Sequence, residues 1–186
     1  MSNTIYKVQI RVYTDELMKF YKGNPEYGSK DKPYPAELFY EMVSPYASFY
    51  GPLRNILVLQ NNCIYQWVLE AVNGIPLKFS SSDDDSQMDM EMITNDPSNE
   101  KWKKVFKDAP DMQPDGKLKV KTKNPNENVF DLKTSTDVSG NGQIKYNFLF
   151  EFKDGNGNTK FGLIDPLADT ELPPPPLSTE AEEGED

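Results

Sequence analysis

Apolar and polar positions alternate most clearly over residues 143–166, which read QIKYNFLFEFKDGNGNTKFGLIDP. Ile144, Tyr146, Phe148, Phe150 and Phe152 share one parity. Gln143, Lys145, Asn147 and Glu151 share the other, with Leu149 as the exception. Successive side chains of a strand point to opposite faces, so the pattern predicts a strand with one aromatic, core-facing side. The DGNGN run at 154–158 is built from residues that tolerate positive φ, and it predicts a turn. Phe161 and Leu163 open the returning strand. This hairpin is expected to be the centre of a β-sheet domain.

The same period recurs along the chain. Over 4–12, Tyr6, Val8, Ile10 and Val12 face one way and Lys7, Gln9 and Arg11 the other, which gives a first strand. Thr14 then suits a helix cap, with Asp15 and Glu16 in the first turn and Leu17, Phe20 and Tyr21 as an apolar stripe. Gly23 and Pro25 end that helix. Residues 35–43 fit a helix on Leu38, Phe39 and Met42 almost as well as they fit an extended segment. The aromatic, turn-rich stretch 44–52 reads as irregular. Strands follow at 56–59 and 64–72 around Asn61 and Asn62, and a second hairpin signal stands at Asn73 and Gly74. Met88, Met90 and Met92 alternate with Asp89 and Glu91. A short helix follows, with Trp102, Val105 and Phe106 on one face. Lysines alternate over 117–123, which suits a sheet edge. About nine strands with one to three short helices, frequent turns and no βαβ rhythm predict an antiparallel two-sheet β-sandwich over residues 1–172.

Charge changes the picture mainly at the end. The net charge is -10. Glu180, Glu182, Glu183, Glu185 and Asp186 supply half of it, with no base beside them. Residues 173–186, opening on four prolines, are expected to form a disordered tail. The remainder lacks the basic face that nucleic acid needs and any polybasic membrane patch. A long apolar leader and a membrane-length apolar run are both missing, and the lone Cys63 suits a reducing, cytoplasmic setting as a buried thiol.

The chain contains no histidine. That removes Ser-His-Asp and Cys-His catalysis and every imidazole metal site. Asp89 and Glu91, near Asp83, Asp84 and Asp85, suggest a carboxylate pair of glycosidase type, against a solvated strand face. Asp83 to Asp85 together with Asp154, Asn156 and Asn158 offer oxygen ligands for Ca²⁺, against an ordinary hairpin turn. Gly155, Gly157 and Gly162 make no phosphate loop, because no helix follows. No catalytic, cofactor or metal site is expected.

Several short motifs carry a resemblance. The first strand runs into Thr14, Asp15, Glu16 and Leu17, followed by GSKDKP at 28–33. Asn73 and Gly74 precede the Ser/Asp-rich loop at 80–85. The strand at 146–152, the Asp154–Gly155 turn and GLIDP at 162–166 close the domain. Together these resemble the AidA/PixA family of bacterial inclusion-body proteins. Tyr13 and Ile75 stand where that family usually has Asp, and Ile164 stands in place of its Trp. The resemblance implies a β-sandwich that accumulates or assembles in the bacterial cytoplasm, with no assigned enzymatic activity.

The expected function is therefore non-catalytic self-assembly. Candidate surfaces are the first strand (Tyr6, Val8, Ile10), the methionine strand (Met88, Met90, Met92) and the aromatic loop at 46–50. The alternative is a glycan- or small-ligand-binding sandwich. Its ligand loops would hold Tyr46, Phe49, Tyr50, Asp83, Asp84 and Asp85.

Overall fold

A computed structural model describes residues 4–51, 56–80, 89–93, 100–107, 117–121, 128–145, 147–165 and 167–170. In chain order the strands are β1 (Thr4–Val12), β2 (Tyr34–Pro35), β3 (Tyr40–Val43), β4 (Phe49–Tyr50), β5 (Ile56–Val58), β6 (Cys63–Ala71), β7 (Leu77–Phe79) and β8 (Asp89–Ile93). They continue with β9 (Phe106–Lys107), β10 (Lys117–Lys121), β11 (Val129–Thr134), β12 (Gln143–Lys145), β13 (Phe148–Lys153), β14 (Thr159–Ile164) and β15 (Leu167–Asp169). Two short α-helices, α1 (Thr14–Phe20) and α2 (Glu100–Val105), interrupt them.

The protein is mainly β. One sheet has the order β3-β1-β6-β11-β9, and a second has β2-β14-β13-β7. A third, β12-β15-β5-β4, and the ribbon β10-β8 complete the set. The first two sheets face each other across one hydrophobic core, to which the third adds Leu57 and Ile144. Sandwich architecture is as expected, but its pairing is mixed. β1 runs parallel to β6, β2 to β14 and β15 to β5. Alternation fixes which residues face the core and is blind to strand direction, so the strictly antiparallel expectation did not hold.

An aromatic cluster fills the space between the two facing sheets. Trp67 and Phe130 are register partners on β6 and β11, with rings stacked at 5.9 Å. Phe148 from β13 meets the Trp67 ring edge-on at 5.7 Å, and Phe79 from β7 meets Phe130 at 5.1 Å. Edge-to-face pairs of this kind add about 0.5–1.5 kcal/mol each beyond simple burial. Phe150, Phe152 and Ile164 extend the same layer. Leu149, the apolar exception to the alternation, is buried as well.

The hairpin 148–164 forms as expected, with Asp154 Oδ1 accepting from the backbone N–H of Asn156 and of Asn158, each at 2.9 Å. The strand before it is divided, however. Gln143–Lys145 pairs with β15 in the third sheet, while Phe148–Lys153 belongs to the second. Residues 35–43 resolve as extended at Tyr40–Val43. Thr14 does not cap α1. It is buried as the first helical residue, and its Oγ1 lies 3.2 Å from Asn73 Oδ1 across the 73–74 turn. The expected tail boundary at residue 172 lies outside the described residues.

Candidate functional site

The first strand is asymmetrically partnered. β6 accompanies it along its full length, from Thr4 opposite Cys63 to Val12 opposite Ala71. β3 covers only half of the other side, from Gln9 opposite Val43 to Val12 opposite Tyr40. Residues 4–8 therefore present an edge with no strand partner among the described residues. The local sequence explains the gap. Ser44 follows β3, and its Oγ accepts from the N–H of Ala47 at 3.1 Å and of Tyr46 at 3.4 Å. That side-chain turn, with Pro45 inside it, diverts the chain before it can continue along β1.

The side chains on this edge divide by parity. Val8 and Ile10, both expected at an association surface, are wholly buried beneath the second sheet. Their side chains face the core, so what this strand offers a partner is its backbone and its first residues. Tyr6 is half-buried. Its ring stacks on Tyr65 at 5.4 Å, and its Oη donates to Gln60 Oε1 at 2.9 Å. On the opposite face Ile5 is 58% exposed and Lys7 is exposed. Sequence reading passed over Ile5 because it lies on the polar parity. A large apolar residue out of phase with its strand was the available signal.

Other edges are shorter or charged. β9 is two residues long and ends on exposed Lys107. On β7, Lys78 pairs with Glu151 at 2.7 Å. β10 carries Lys117, Lys119 and Lys121, in register with Ile93, Glu91 and Asp89 of β8. Charge and brevity are standard guards against strand addition. Residues 4–8 carry one lysine.

The remaining candidates are scattered. Met90 and Met92 stand in β8 opposite Val120 and Leu118, and Met88 lies outside the described residues. Tyr46 is 75% exposed in the turn after β3. Phe49 instead packs against the core, and Tyr50 Oη accepts from Gln143 Nε2 at 3.2 Å, both within β4. Asp83, Asp84 and Asp85 lie outside the described residues. Asp89 and Glu91 are placed only by their register opposite Lys121 and Lys119.

Asp154 is occupied by its own turn. Desolvation raises its pKa, but hydrogen bonds from the Asn158 and Asn156 backbone and from the Asn158 amide outweigh that and hold the carboxyl below its usual range. Cys63 is buried, and burial pushes its thiol up, partly offset by Tyr6. Among the described residues no three His, Cys, Asp or Glu side chains gather as a metal would require. No helix among them is long and apolar enough to cross a membrane. A cavity of about 420 Å³ opens beside the 73–74 turn, walled by Leu69, Ile75 and Leu77 with Glu70 and Asn128 at its polar side. Both polar groups are engaged, Glu70 by Gln9 Nε2 at 3.0 Å and Asn128 by the Leu69 carbonyl.

No family model matches the sequence, and no curated protein matches it. Among solved structures, the fold is similar to the crystal structure of the inclusion body protein PixA from Burkholderia cenocepacia. That match has a TM-score of 0.49 and 8% identity, and covers 92% of this chain and 97% of that one.

Proposed function

We propose that this protein is non-catalytic and works by assembling with copies of itself in the bacterial cytoplasm. The observation that carries the reading is the edge at residues 4–8, which has no strand partner among the described residues, with Ile5 exposed beside it. An extended strand with unpaired N–H and C=O groups is a template for another strand. The motif resemblance to inclusion-body proteins points the same way, and a chain without histidine lacks any imidazole general base. Residues 1–172 are the assembling domain. The tail at 173–186 is dispensable for folding, and its five acids oppose close approach until salt screens them within about 8–10 Å. Light scattering of the full chain and of a version ending at residue 172 tests this. Association is expected to strengthen on tail removal and with moderate salt, and equal, concentration-independent scattering from both would refute it.

A ligand-binding role is the second reading, favoured by the open ring of Tyr46, which suits stacking on a sugar. A glycan array with and without Ca²⁺ decides it, and silence under both conditions removes it.

A further inference from the structure

We infer that residues 4–8 of β1 pair antiparallel with the same residues of a second copy, about a two-fold axis beside Tyr6. Two five-stranded sheets would then join edge to edge; this rests on the self-association reading above. The slot has a fixed length. Val43 of β3 already stands opposite Gln9, so an incoming strand cannot run past Val8. A partner must bring a free extended run that fits this short space. The chain itself carries one, its own residues 4–8.

The register follows from parity and charge. An antiparallel pair centred on Tyr6 sets Thr4 opposite the second copy's Val8, Ile5 opposite its Lys7 and Tyr6 opposite its Tyr6. Core-facing parities then coincide in the two sheets, which a one-residue slip would invert. Exposed Ile5 is covered by the aliphatic stem of Lys7, twice by symmetry. The two half-buried Tyr6 rings meet across the axis, an aromatic cross-strand pair. Centring on Lys7 would instead oppose like charges. Five residues a side fall well short of the roughly 800 Å² per partner of a stable interface, so the pairing is weak and concentration-driven.

The test uses the full chain with Tyr6→Cys. Directly opposed residues stand about 4.5–5.5 Å apart at Cα, within disulfide reach. Mild oxidation should yield a cross-linked dimer, while Thr4→Cys, whose copies would lie roughly 13 Å apart, should not. A second arm leaves Tyr6 in place. Ile5→Lys sets lysine against lysine and should weaken association roughly three- to tenfold, whereas Ile5→Glu, facing Lys7, should not weaken it. Equal cross-linking from both cysteine variants, or equal loss from both Ile5 variants, overturns this register while association itself survives. A chain that never associates overturns both this pairing and the reading beneath it. If Tyr6→Cys fails to fold, the Ile5 variants decide, since that side chain is mostly solvent-exposed.

Discussion

Gly162 stands directly opposite Phe150 in the β13–β14 ladder, and the Phe150 ring occupies the place where a side chain on Gly162 would begin. Phe150 is wholly buried, so the ring cannot swing into solvent. Gly162→Ala should therefore overpack the core and cost about 1–3 kcal/mol. Phe150→Ala should cost about 3–5 kcal/mol. Because the truncated residue makes room for the new methyl, the double variant should lose less than the sum. Urea unfolding of the three variants measures this, and strict additivity would count against the packing described.

Thr134 ties the β5–β6 turn to β11. Its Oγ1 donates to the Gln60 carbonyl at 2.6 Å and accepts from the Cys63 N–H at 2.9 Å, with the residue fully buried. Thr134→Val keeps the shape and strands both partners. A loss of about 1–3 kcal/mol in urea is expected.

Much of this fold was legible because burial imposes a period. Val8, Ile10 and Val12, and Phe148, Phe150 and Phe152, lie in the core as their spacing required. Asn62 adopts φ 54 and Gly74 φ 77, so both turns sit where the sequence placed them, but neither closes the expected hairpin. β5, β6 and β7 belong to three different sheets, and a turn signal does not say which strand its neighbours pair with. Strand direction left no such trace, and β1 pairs parallel to β6 without any change in its own pattern. The break between β12 and β13 was equally hidden, because both halves bury the same parity in one continuous core. The open edge was half legible. Tyr6 marked the strand, but the gap depends on where Ser44 turns the chain away, a tertiary consequence of β3 stopping at Val43.

The Asp154 turn gives a pH signature. Its carboxyl is held below the usual carboxylate range, so its contribution to stability is present above the unfolded value near 3.9 and is lost as pH falls through the lower folded value. Asp154→Ala should be less stable than the parent at neutral pH, and the gap should close under acid conditions. Urea midpoints at pH 7 and about pH 3 check the sign; a gap that widened in acid would contradict it.

Cys63 should be chemically silent in the folded protein. Burial raises its thiol pKa, and Sγ donates to the Asn61 carbonyl at 3.1 Å. A thiol reagent at about pH 8 should react only after urea unfolds the chain. Fast labelling of the native protein would mean that the 60–63 turn opens.

Sedimentation velocity of the full chain, from micromolar to millimolar protein at low and moderate salt, reads self-assembly most directly. The sedimentation coefficient should rise with concentration, rise further at about 0.15 M salt as repulsion between acidic tails is screened, and rise again when residues 173–186 are removed. A strict monomer at millimolar protein, with and without the tail, would contradict the assembly reading outright.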